Sequence, residues 1–328
     1  MEHVVRELAA MPVSGLGSRE LGESVSRVIA RLVPHDGLRL VGYGPSARTW
    51  IGSFGFAHGY EPDFGRALYH GIASGEDPFP LPVLEKLKVP GAVVGNNRTF
   101  GRYGVGCELR VALRTPRGLW GSVGLLRAAN AKPFTEDDTV AVASLISPLV
   151  DLMRRFVTAA PLVPDGRAPG TGVVLVGPDH RIRAATPEGQ RWLDILHDDH
   201  AGPGWTIDSG ISIISMLART PGAEPPVIVG PAAGHGPWLA LQAQLLGDDV
   251  AIITEQASGE MVLPAFGDWY GLTPRERDVV ARLYRAAAPK QIARQLGLSV
   301  YTVNEHLKAV YRKTGASSRD ELVAALAG

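Results

Sequence analysis

Between Thr273 and Gly315 the chain carries helix-start and helix-stop signals so closely spaced that few folds can accommodate them. Thr273-Pro274-Arg275-Glu276 opens a helix, with Thr273 as N-cap, Pro274 where a missing N–H is no loss, and Glu276 placed to reach back to the cap. Val279, Val280, Leu283 and Tyr284 keep a helical stripe until Ala286-Ala287-Ala288-Pro289, where proline ends one helix and can open the next. That next helix, Lys290 to Leu296, is short, with Ile292, Ala293 and Leu296 pointing one way. Gly297-Leu298-Ser299 is then a tight turn, because glycine adopts a left-handed backbone and serine caps the succeeding helix. This third helix ends at Thr314-Gly315. Ser318-Arg319-Asp320-Glu321 repeats the cap spacing to start a last one.

A short helix, a turn and a longer helix packed across it is the geometry of a helix-turn-helix, whose second helix enters the DNA major groove. The second helix here has Val303, Leu307 and Val310 on one face and Asn304, Glu305, Lys308 and Arg312 on the other. On geometry alone a rival stands beside the DNA reading: a non-DNA sensory module whose helical tail mediates protein–protein contacts. Charge favours DNA. The chain as a whole is neutral, yet Asp268 to Gly328 holds ten Lys plus Arg against six Asp plus Glu, so the excess of base lies in the segment that would meet phosphates.

The residues LTPRERDVV, KQIARQLGLS and VYTVNEHLKAVYRKTGASSRDEL resemble the LuxR-type (NarL or FixJ-type) DNA-binding domain, with its pattern LTxRExxVL, KEIAxxL, SxxTVxxHxxxIxxKLGVxSR. The resemblance implies roles. Asn304, Glu305 and Lys308 sit where family members touch bases and phosphates. The chemistry fits: Asn bonds an adenine edge twice, Glu accepts from a cytosine amino group, and Lys reaches guanine or phosphate. Lys290, Ser299, Tyr301, Thr302 and Arg312 complete the expected DNA-binding set on the backbone side, fixing register and supplying salt-dependent affinity. For Glu305 two readings stand, selection of a base or pairing with a neighbouring base such as Arg312. His306 is expected as a packed, hydrogen-bonded core histidine. Ala286 departs from the family's usual Gly, Ala288-Pro289 from Ser-Asn, and Thr314 from Leu.

The 328 residues suggest two or three domains. We read 1–157 as a first α/β domain, 158–171 as a Pro/Gly/Ala-rich linker, 172–258 as a second, 259–270 as a connector and 271–328 as the helical tail. In the first, a helix over ELGESVSRVIARLV precedes strand-like runs LRLVGY, WIGSF, ELRVALRT and LWGSVGLLR, and a long helix from Thr135 closes it. RGLWGSVGLLRAANAKPFTEDD resembles the end of a GAF domain. GVVLVGPDHRIRAATPEGQRWL resembles, more faintly, a PAS domain, with later strands at PPVIV, WLALQAQLL and VAIITEQ. The expected class is therefore α+β and multidomain: a GAF-like sandwich, a PAS-like antiparallel sheet with helices and a four-helix tail. No internal repeat is evident.

With 45% hydrophobic and 20% charged residues, no apolar run of spanning length and acidic Glu2 and Glu7 in the first residues, the chain is expected in the cytoplasm, away from membranes. Cys107 is the single cysteine and is expected half-buried in a strand. There is no Gly-x-Ser-x-Gly, no Gly-Lys dipeptide and no His-Glu-x-x-His, so no enzyme is expected, and no cofactor. His197-Asp198-Asp199-His200 has metal-ligand types but reads as a solvated loop, so no metal is expected either. His58 and His70 could line a pocket or ligate a haem, although lone histidines far more often do neither; Trp50 and Trp120 read as core. The expected partners are double-stranded DNA, a second copy of the chain on paired half-sites, RNA polymerase and a small-molecule effector sensed by the front domains.

Overall fold

The computed structural model describes residues 1–47, 54–95, 98–163, 168–197, 204–231 and 238–327. The chain begins with α1 (Glu2–Ala10) and α2 (Ser18–Ala30), then β1 (Gly37–Gly42) and β2 (Phe54–His58). After α3 (Pro62–Ala73) and α4 (Leu81–Leu84) come β3 (Gly91–Gly95), α5 (Arg98–Arg102), β4 (Val105–Thr115) and β5 (Gly118–Ala128), closed by α6 (Glu136–Ala143) and α7 (Ile146–Val157). The five strands form one antiparallel sheet in the order β2-β1-β5-β4-β3. Alternate residues divide between its faces, as the pleat requires. Leu38, Leu40, Leu109, Val111, Val123 and Leu125 go to the core shared with Val25, Ile29, Leu149, Met153 and Phe156 of α2 and α7. In α2, Gly22 is required: a Cβ there would fall 1.7 Å from the Phe56 ring. The long helix expected from Thr135 is two helices. Thr135 caps α6 as its spacing predicts, accepting from Asp138 N, and the chain breaks at Ser144 and Leu145 before α7.

The second unit runs β6 (Gly172–Val176), β7 (Ile182–Ala185), α8 (Pro187–Leu196), α9 (Gly204–Ala218), β8 (Val227–Pro231), β9 (Trp238–Leu246) and β10 (Asp249–Gln256). Its sheet has the order β7-β6-β10-β9-β8. Counted within each unit, both sheets follow one order, although no sequence repeat announces it. Thr186 caps α8 from its side chain, as expected. The two units meet where α9 lies on α3. Trp205 joins the cluster of Phe64, Leu68 and Phe100, and a Cβ on Gly65 would sit 2.2 Å from the Trp205 ring.

The stretch read as a connector folds as a helix, α10 (Gly259–Trp269), with Pro264 inside it. Val262, Phe266 and Trp269 are fully buried. The Trp269 ring stands edge-on to Trp120 of the first unit at 5.6 Å, and Phe266 lies 6.1 Å from Trp238 of the second. The tail follows as α11 (Pro274–Tyr284), α12 (Pro289–Leu296), α13 (Val300–Thr314) and α14 (Arg319–Ala327). The α+β, multi-unit class expected from the sequence is the one that forms.

Candidate nucleic-acid interface

The start of α11 is built as its residues require. Thr273 Oγ1 accepts from Glu276 N at 3.3 Å, and Glu276 Oε2 accepts from Thr273 N at 2.7 Å. A second donor reaches the same carboxylate: Lys313, in the last turn of α13, lies 2.6 Å from Glu276 Oε2 and also donates to Gly271 O at 3.1 Å. Burial by itself would raise the Glu276 carboxyl. The bonds from Lys313 and Thr273 outweigh it and hold the group below the usual carboxylate range. The far end of α13 is thereby tied to the start of α11, and Lys313 is committed to structure rather than to a ligand.

Between α11 and α12 the backbone turns through Ala286 at φ 62°, a left-handed value that glycine accepts freely and alanine does not. The departure from the family's Gly therefore carries strain. Ala288 at the N-cap of α12 offers no side-chain oxygen, but its own N–H is taken by Gln291 Oε1 at 2.9 Å, so half of a capping box survives. Gly297 is left-handed at φ 64°, Leu298 N bonds Ala293 O at 2.9 Å, and Ser299 Oγ accepts from Thr302 N at 3.0 Å. Thr314 is buried with its hydroxyl donating to Val310 O at 3.0 Å, so the polar group replacing leucine is satisfied.

Val303, Leu307 and Val310 face the tail's core. On the opposite side Lys290, Ser299, Tyr301, Asn304, Glu305, Lys308 and Arg312 are all exposed with the whole chain present, and Thr302 is half-buried. Seven of the eight expected DNA-binding residues are thus open to solvent with the front units in place. Tyr301 is 74% exposed, which core packing cannot explain. Of the two readings left for Glu305, pairing with a neighbouring base is the one seen in the free chain, with Lys308 in place of Arg312: Glu305 Oε1 accepts from Lys308 Nζ at 2.8 Å, one turn away. His306 is only half-buried and, among the described residues, has no hydrogen bond, so it is not the bonded core histidine expected. Sequence reasoning missed Arg294, exposed on α12 four residues from Lys290 and therefore on the same side.

The remaining candidates do not gather into a second site. Cys107 is buried in β4 rather than half-buried. His58 is exposed at the end of β2, and His70 is exposed on α3 at the rim of a 930 Å³ cleft shared with α9 and the β6–β7 turn. His197 pairs with Asp208 at 3.0 Å, while Asp198, Asp199, His200 and Trp50 lie outside the described residues. Trp120 is core, as expected. Among the described residues no group of three or more acidic, histidine or cysteine ligands is placed to hold a metal, and no helix is long and apolar enough to cross a membrane.

Residues 271–326 match the family described as bacterial regulatory proteins, luxR family. This tail is a LuxR-family helix-turn-helix domain. An HTH-type transcriptional regulator of Mycobacterium tuberculosis is 42% identical over 81 residues, which is 25% of this chain and 9% of that protein. The monoamine regulon transcriptional regulator of Klebsiella aerogenes is 44% identical over 52 residues, 16% of this chain and 23% of that one. The chain therefore spans a small part of the relatives it matches. Among solved structures, Escherichia coli SdiA overlays 99% of this chain and 94% of its own at 12% identity, with a TM-score of 0.35, too low to argue a shared arrangement.

Proposed function

We propose that the chain is a transcription regulator in which the LuxR-family tail binds DNA as part of a dimer on paired half-sites, and the front units sense a small molecule or a partner. The observation that carries the DNA contact is the exposed face of α13, where Asn304, Lys308 and Arg312 stand free of the chain's own body beside a properly capped turn. A single such helix meets few bases, and two-fold symmetry doubles the contacts, which is the reason for a dimer. The front units supply layered α/β bodies of the kind that host ligands, joined to the tail through α10. Cytoplasmic residence and recruitment of RNA polymerase belong to the same reading.

The test uses the full chain against a randomised DNA duplex library, with anisotropy titrations on the selected sequence. Lys308→Ala is expected to weaken binding broadly and flatten its salt dependence. Asn304→Ala is expected to relax preference at one base position, each by about 1 to 3 kcal/mol. DNA binding unchanged in both variants would overturn the reading.

A further inference from the structure

Positive charge gathers around Gly271, the residue that leads from α10 into the tail. Its backbone is left-handed at φ 66°, and a Cβ there would overlap Arg154 Nη2 of α7 and lie 3.4 Å from Arg117 Nη1 of the β4–β5 turn. Two guanidinium groups of the first unit therefore meet at one point on the tail. Lys313 of α13 brings a third cation, donating to Gly271 O at 3.1 Å.

Arg154 is fixed in this position. Its Nε donates to Trp269 O at 3.2 Å, and its guanidinium lies over the Trp120 ring, 5.6 Å from the centroid. Those contacts leave Nη2 with no acceptor among the described residues. The Arg117 side chain has none there either; its backbone N–H alone is used, by Thr115 Oγ1 at 3.2 Å.

The carboxylates within reach do not balance the three cations. Glu276 is taken by Lys313 at 2.6 Å. Asp151 stands 4.0 Å from Arg154 Nη1 with its side chain 71% exposed, where water screens it, whereas that of Arg154 is 27% exposed. Burial, and then Arg117 beside it, bring the Arg154 guanidinium below its ordinary value. The fold thus holds two like charges together, which is unfavourable until an anion lies between them. The form of the cluster also selects the anion. One guanidinium fork satisfies both oxygens of a carboxylate, so two forks meeting at a point call for an acceptor with more oxygens and more charge, as a phosphate group has.

We propose that Arg117 and Arg154 bind a phosphate group carried by a small molecule, and that the bound group joins the first unit to the start of the tail. The proposal goes beyond the DNA reading and does not depend on it: Lys313 marks the last turn of α13, whereas Tyr301 and Asn304 lie in its first turns.

The experiment uses the full chain and inorganic phosphate, titrated at constant ionic strength with chloride as the balancing anion and acetate as the control. Binding is read by calorimetry and by phosphorus NMR line width, and coupling to the fold by the unfolding midpoint. Phosphate is expected to bind saturably at millimolar concentration, acetate at least tenfold more weakly, and Arg117→Gln to weaken phosphate binding about tenfold, the worth of a charge-assisted hydrogen bond. The variant should also change sign with the buffer. Without phosphate it removes a like charge from beside Arg154 and should raise the midpoint slightly; with saturating phosphate its midpoint should fall below that of the unaltered chain. Phosphate at high concentration stabilises many proteins without binding a site, so a rise in midpoint that never saturates and is the same in both proteins overturns the proposal. So does phosphate affinity that Arg117→Gln leaves unchanged, or acetate binding as tightly as phosphate. DNA is the other source of phosphate groups: if inorganic phosphate finds no saturable site while Arg117→Gln weakens duplex binding about tenfold, the arginines serve the DNA backbone and the small-molecule site falls.

Discussion

Replacing Glu305 by Gln tests what that residue does on the reading face. In the free protein its carboxylate holds Lys308 Nζ at 2.8 Å, with the two side chains 47% and 72% exposed. A pair so wet is worth about 0.3 to 0.5 kcal/mol, so Glu305→Gln is expected to leave the unfolding midpoint almost unmoved. On DNA the change is larger. A carboxylate about 6 Å from a phosphate in high dielectric repels it by about 0.7 kcal/mol, so removing the charge should tighten binding about threefold per head. Lys308, released, should also engage a phosphate and steepen the slope of log K against log salt by up to about 0.9 per head. Anisotropy titrations over a range of salt on operator and random duplex measure both effects, and the gain should appear on both DNAs. The opposite result, operator affinity falling about tenfold or more with preference lost at one base pair, would refute this reasoning and make Glu305 a reader of cytosine.

The geometry sets three further outcomes. Glu108 is pushed up by burial, but Arg110 and Arg39 outweigh that and bring it down to about 2, below its ordinary 4.5. A depressed carboxylate contributes stability that is full above its unfolded value and lost as pH falls toward the folded one, so the unfolding free energy read from urea titrations should drop between pH 4.5 and about 2 by an amount on the order of 3 kcal/mol; a flat profile there would contradict the ion network. Ala286→Gly should stabilise the chain by about 0.5 to 1 kcal/mol, because relief of the left-handed alanine exceeds the entropy added to the unfolded chain, and a lowered melting midpoint would show the strain is absent. Gly65→Ala should destabilise by about 1 to 3 kcal/mol through its clash with the Trp205 ring, and an unchanged midpoint would mean the α3–α9 seam is loose.

The tail was legible because its instructions are local. Thr273, Glu276, Pro289, Gly297 and Ser299 each act within four residues of themselves, and each is found making the bond or taking the backbone angle its spacing implies. The front of the chain was legible where strands alternate and helices carry caps, and lost where burial is non-local. The α9 segment, GWTIDSGISIISMLA, has two glycines and four isoleucines that disfavour a helix; it is helical because Trp205, Ile211 and Ile214 are taken up by surrounding units. Likewise α10 hides behind Pro264 and Gly267, and its helix is sustained by burial against parts of the chain far away in sequence. ELRVALRT reads as a strand, and alternation cannot reveal that Tyr60 and the loop carrying Asp77 and Phe79 cover Glu108 and Arg110.

The exposure of α13 limits how any signal could act. With the reading face already clear of the front units, a switch that works by unmasking has nothing to uncover in this arrangement. What the front units do hold is α10. Asp268 accepts from Ser46 N at 2.5 Å and from Arg277 at 2.7 Å, Arg154 donates to Trp269 O at 3.2 Å, and Trp120 and Trp238 pack on its two aromatic residues. The carboxylate of Asp268 thus joins the first unit's β1–β2 loop directly to α11. On the proposed sensor reading, a ligand that favours one setting of the first sheet would bias the pose of α10 and, through Asp268 and Arg277, the pose of the helix pair behind α13. In a dimer such a change in pose appears as a change in the separation of two heads, which DNA reads as half-site spacing rather than as the presence or absence of a binding surface.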